Sequence, residues 1–121
     1  MEYVSTKDKL ESIKSLQSTI GKLESALSQM TLKGANTTLV KKRLKAIYVG
    51  LALLDNVWNQ KTNNYTLEDL VGARKVLAGL LPTIENSYAK SKAGSPQRTL
   101  LERRIKALEL AVQAIDNHSS R

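Results

Sequence analysis

Eight cations in two matching groups are the residues best equipped for chemistry in this chain: Lys41, Lys42, Arg43 and Lys45, then Arg98, Arg103, Arg104 and Lys106. Lysine and arginine at this density hold phosphate or carboxylate groups, and arginine can do so through two parallel hydrogen bonds. With Lys33, Lys90 and Lys92 added, the stretches 33–45 and 90–106 hold eleven basic residues and a single acid, Glu102. The formal charge of the whole chain is +8, so everything outside these stretches sums to −2. The basic character is local.

Other chemistry finds few residues to carry it. There is no cysteine and only one histidine, His118, which stands in the polar run Asn117-His118-Ser119-Ser120-Arg121. Neither a nucleophile–base pair nor a histidine-based metal triad can be assembled from that set. The Glu-x-x-His pattern of di-iron bundles and the glycine-rich phosphate loops are missing as well. Glu68 and Asp69 are adjacent acids, but acids belong in the first turn of a helix on dipole grounds alone. No catalytic activity, cofactor, metal or small-molecule substrate is expected.

Aromatic residues narrow the choice of anion. Phenylalanine is absent, and Tyr3, Tyr48, Trp58, Tyr65 and Tyr88 do not interleave with the lysine runs. Stacking of nucleic-acid bases on an aromatic platform is therefore not expected, and any nucleic-acid contact would be to phosphates, without sequence preference.

The elements that must position these cations read as four helices. Ile13, Leu16, Ile20, Leu23, Leu27 and Met30 recur at steps of three and four, as do Val40, Leu44, Ile47, Leu51, Leu54 and Trp58. Two further stripes run through Leu70, Ala73, Leu77, Leu80 and Ile84, and through Leu101, Ile105, Leu108, Val112 and Ile115. Ser5 or Thr6 caps the first helix, Thr66 with Asp69 forms a capping box for the third, and Ser95 before Pro96 opens the fourth. Gly34 and Gly94 end the first and third. No alternating apolar pattern marks a strand. Pro82 falls inside the third helix, where a kink or short interruption is expected.

The second and fourth helices repeat one another. Thr38–Asn56 aligns with Thr99–Asn117 at a shift of 61, with seven identities in nineteen positions. The first and third agree more weakly at a shift of 60, through Thr6 and Thr66, Leu10 and Leu70, Lys14 and Arg74, and Gly34 and Gly94. The pattern predicts one all-α domain spanning 1–121. It is an up-down-up-down antiparallel four-helix bundle built from a duplicated αα-hairpin, with repeats at about 6–59 and 66–118 and the third helix kinked near Pro82.

In such a bundle the loops after the first and third helices lie at one end. The two basic groups would then stand side by side there, with Glu2, Asp8, Glu11, Asp55, Glu68, Asp69 and Asp116 at the other end. Cations in the first turns of the second and fourth helices oppose the helix dipole, which marks them as candidates for binding. Arg43 and Arg104 fall on the shoulder of the core, each stem on apolar surface and each guanidinium at the rim or paired to Glu24 or Glu85.

The expected function is a non-enzymatic binding module whose basic end docks an anionic partner, most simply nucleic-acid phosphates. The alternative is a protein–protein regulator of inhibitor, immunity or adaptor type that binds an acidic protein surface. Val49, Leu53 and Leu110, off the main stripes, would serve a homo-oligomer if exposed, but for Val49 and Leu53 the preferred reading is a central helix that buries two faces. The polar start Met1–Ser5 and the lack of an 18-residue apolar run predict a cytoplasmic protein without membrane association.

Overall fold

The structure, a computed structural model, describes residues 4–119; Met1, Glu2, Tyr3, Ser120 and Arg121 lie outside the described residues. It consists of α1 (Thr6–Leu32), α2 (Thr38–Asn59), α3 (Leu67–Lys90) and α4 (Pro96–Ser119), with no strand among the described residues. The expected all-α four-helix bundle is observed.

The local signals act as their chemistry requires. The Ser5 hydroxyl accepts a hydrogen bond from the Asp8 amide at 3.1 Å, closing the first turn of α1. Thr66 and Asp69 bond each other's backbone amides reciprocally, both at 3.1 Å. The Ser95 hydroxyl caps α4 through the Arg98 amide. Gly34 takes a positive φ of 70° just past the cap residue Lys33, which lets α1 terminate without the strain a Cβ would bring. Gly94, also at positive φ (79°), does not end α3 as expected: that helix closes at Lys90 with Ser91 extended, and Gly94 serves the turn that leads into α4. α4 runs through His118, so the expected polar tail is helical as far as Ser119. Pro82 is exposed inside α3, which stays unbroken from Leu67 to Lys90; an interruption is not observed. One missing amide does not outweigh the hydrogen bonds of the turns on either side.

Packing makes α2 and α4 the central pair. They pack against each other, α1 packs on both and α3 packs on both, so α1 and α3 lie on opposite flanks. A central helix must bury two faces. Val49 and Leu53 of α2 are accordingly fully buried with Ile47 and Leu54, as expected of a central helix, and Leu110 is half-buried against the same core. Leu16, Leu77, Leu108 and Ile115 complete the largest buried side chains. Trp58 is half-buried near the end of α2, with the Lys9 ammonium 5.9 Å from its ring centroid.

The caps and the core positions of the two hairpins align in sequence at a shift of 61. Moving 61 residues carries the cap Ser5 onto Thr66, Asp8 onto Asp69, Leu16 onto Leu77 and Gly50 onto Ala111. The expected shift of 60 between α1 and α3 therefore holds only at Gly34 and Gly94. The segment from the cap Thr66 to Gly94 is one residue shorter than that from Ser5 to Gly34, and the segment from Gly94 to Thr99 is one longer than that from Gly34 to Thr38. Gly50 and Ala111 meet where α2 and α4 touch: a Cβ on Gly50 would lie 3.1 Å from the Ala111 Cβ and 3.3 Å from Leu77 Cδ1.

Candidate functional site: two grooves beside the basic stretches

Four of the eight candidate cations are engaged within the molecule. Lys45 Nζ lies 2.8 Å from Asp69, Arg103 lies 2.8 Å from Glu11, and Lys106 lies 3.3 Å from Asp8. Arg98 is occupied differently. Its guanidinium stacks 4.1 Å from the Tyr88 ring centroid and donates to the carbonyl oxygens of Tyr88 and Ser91, at 3.3 and 3.0 Å. It closes the C-terminal end of α3, where carbonyls lack helical partners. Lys41, Lys42, Arg43 and Arg104 are outside any ion pair among the described residues.

These pairs correct the expected charge map. The first-turn acids Asp8 and Asp69, and Glu11 in the second turn of α1, do not collect at an end remote from the cations; they lie against them. Nor are the two basic stretches side by side. That of α4 meets α1 at Asp8 and Glu11, whereas α2 meets α1 further along, where the Tyr48 hydroxyl donates to Glu24 at 2.6 Å. Thirteen helical residues separate Glu11 from Glu24, about 20 Å at 1.5 Å per residue. The physical reason is the packing of α1 and α3 on both central helices, which brings the N-terminal half of each flank helix to the basic stretch of the other hairpin.

Charge states follow from these contacts. The Lys45 ammonium holds the Asp69 carboxyl below its ordinary range, helped by the Thr66 amide, and Asp69 in turn raises Lys45. Glu24 pushes the Tyr48 phenol up by accepting its proton in a hydrogen bond. Asp116 raises Arg74 through a two-pronged contact that ties α3 to α4.

Each basic stretch borders a groove, and the grooves are equivalent at the same shift of 61. Between α2 and α3, Leu39, Lys42, Arg43 and Lys45 face Gly72 and Lys75; between α4 and α1, Leu100, Arg103, Arg104 and Lys106 face Glu11 and Lys14. Their floors differ. Ala73, Val76 and Gly79 of the α2–α3 groove correspond to Ser12, Ser15 and Ser18 of the other. Their openness differs too. Glu11 and Arg103 line both of the hollows on the α4–α1 side, about 260 and 510 Å³, so their ion pair stands between them. On the α2–α3 side Gly72 occupies the place of Glu11, Lys42 has no counter-ion, and the groove is one space of about 630 Å³.

Arg43 and Arg104 sit where the helical stripe puts them, half-buried at the groove walls. Neither pairs with Glu24 or Glu85 among the described residues, and the buried Nε of Arg104 has no hydrogen-bond partner. Sequence reasoning missed the α3 wall of the first groove. Gly72, Val76 and Gly79 carry no charge pattern, and only alignment at a shift of 61 shows that Gly72 stands opposite a cation.

Comparison with protein-family models, with curated proteins and with solved structures finds no match to this chain. No helix among the described residues is long and apolar enough to cross a membrane, and no group of three or more His, Asp or Glu there could hold a metal ion.

Proposed function

We propose that this chain is a non-enzymatic binding module that docks an acidic protein partner. One observation carries the reading: the α2–α3 groove joins an apolar floor to a rim of cations, two of which, Lys42 and Arg43, have no internal anion. Phosphodiester backbone offers charge but nothing for an apolar floor to cover. An acidic protein surface offers both. Nucleic-acid phosphates, the simplest expectation from composition, are disfavoured further because the basic stretches lie apart and half of their candidate cations are engaged.

The test selects binders from a library of random 16-residue displayed peptides at about 150 mM salt, where weak surface attraction is largely screened. Labelled single-stranded DNA is titrated in parallel. The expected peptides combine acidic residues with apolar ones at helical spacing, and DNA binding is lost at this salt. Recovered peptides without acidic enrichment would overturn the reading. So would DNA binding that persists with a log–log salt slope of about 4–6, the mark of several phosphates held at once.

A further inference from the structure

The α4–α1 groove shows what the α2–α3 groove lacks. In the first, the Glu11 carboxylate crosses the gap and meets Arg103 at 2.8 Å. In the second, the residue equivalent to Arg103 is Lys42 and the residue equivalent to Glu11 is Gly72, so the cation remains and the carboxylate is gone. Open space surrounds Gly72; a Cβ placed there would meet nothing within 4 Å. The same shift replaces three serines by Ala73, Val76 and Gly79, which turns a polar floor into an apolar one. Leu39, 57% exposed, overhangs the rim.

Resting on the binding reading above, we infer that the α2–α3 groove takes an amphipathic acidic helix of the partner, with one carboxylate seated over Gly72 against Lys42 and Arg43. That carboxylate supplies from outside what Glu11 supplies internally on the other side. The occupant is a helix for a stated reason. The groove walls are themselves helices with satisfied backbones, so an extended segment would find no sheet edge to pair with, whereas a helix brings its own hydrogen bonds. Size agrees: from Glu68 to Leu80 the α3 wall runs about 18 Å at 1.5 Å per residue, a little over three turns of a docked helix. The groove lining also orders the contacts. Along the α3 wall Glu68 and Asp69 come first, with Asp69 held by Lys45, then Gly72 and Lys75, then Val76, Gly79 and Leu80. Acidic residues of the partner belong over Gly72 and Lys75, and apolar ones over the stretch from Val76 to Leu80.

Gly72→Glu tests this directly, because it builds the missing carboxylate into the chain. The side chain should pair with Lys42 as Glu11 pairs with Arg103, and divide the groove. A selected acidic peptide should then bind about tenfold or more weakly, the worth of a charge-assisted hydrogen bond. The fold should persist, since glutamate is the better helix former and the site has room; circular dichroism checks this. Gly72→Ala fills similar space near the backbone without charge and should change binding less than about threefold on the same scale. Lys42→Glu should lose binding as Gly72→Glu does, while Arg103→Glu, in the other groove, should keep it. If acidic peptides bind and Gly72→Glu leaves their affinity unchanged, the groove assignment is overturned and the partner class stands. If no acidic peptide binds, the partner class falls and the groove assignment with it.

Discussion

Gly50→Ala would place one methyl where the two central helices touch, and its outcome can be worked from the geometry. The new Cβ would lie 3.1 Å from the Ala111 Cβ, inside the roughly 3.5–4.0 Å of a relaxed carbon contact. Leu77 Cδ1, at 3.3 Å, ends a flexible side chain and can turn aside; the Ala111 Cβ is fixed to its backbone and cannot. The helices must therefore part by several tenths of an ångström, and overpacking of this kind costs about 1–3 kcal/mol. Alanine in place of a helical glycine returns about 1 kcal/mol. The net expectation is a loss of about 1 kcal/mol, seen in urea titration as a lower midpoint at unchanged slope, with Tm down by about 3–5 °C. Adding Ala111→Gly should restore most of it, because the pair is then exchanged between helices and the propensities cancel. The double-mutant cycle should give a coupling of about 0.5–3 kcal/mol. A Gly50→Ala protein that gains the full propensity term, with no coupling to position 111, would refute the close approach of α2 and α4.

Pro82→Ala should raise stability by up to about 3 kcal/mol, measured by the same titration, because it restores one amide to an already continuous helix; peptide affinity should not move. Asp69 gives a pH-dependent expectation. Its carboxyl sits below its ordinary 3.8, so its contribution is present above that value and disappears as pH falls through the lower folded one. Asp69→Asn should therefore lose stability near neutral pH relative to the parent and converge with it in strong acid. A constant difference across that range would show that the Lys45 contact does not set the carboxyl's charge.

Sequence made the helices readable because each carries its own signals. Ser5, Thr66 and Ser95 announce their caps, and the three-and-four spacing of Leu16, Ile20 and Leu70, Ala73, Leu77 announces the buried faces. Such signals are local, and the four elements follow from them. The charge map was not local. Asp8, Glu11 and Asp69 satisfy the dipole of their own helices, and that explanation was sufficient until the other hairpin's cations were found beside them. The contacts of Arg98 were hidden for a similar reason: the carbonyls of Tyr88 and Ser91 that its guanidinium meets belong to the end of another helix, brought there by the turn that contains Gly94. Val49 and Leu53, off the main stripe of α2, were legible as the second buried face of a central helix, and they are core. The groove was legible only through its absent member, since Gly72 has meaning when set against Glu11 and none alone.

The common shift of 61 also bears on how the chain is strung. It carries the end of α2 onto the end of α4 and the start of α3 onto the start of α1. Were the two hairpins related by a two-fold in space as they are in sequence, the gap from α4 back to α1 would match the gap that residues 60–66 bridge. A seven-residue joint reaches at most about 25 Å fully extended, and a second one of that length would close the molecule into a ring. In such a ring each hairpin follows the other without a first or a last. Opening it at residues 60–66 would give a circular permutant that starts with α3 and ends with α2, with the same core, the same two grooves and the same Gly50–Ala111 contact. Folding of that permutant with the same helix pairs in contact would show that neighbourhood in the ring, and not the place of the cut, determines the fold.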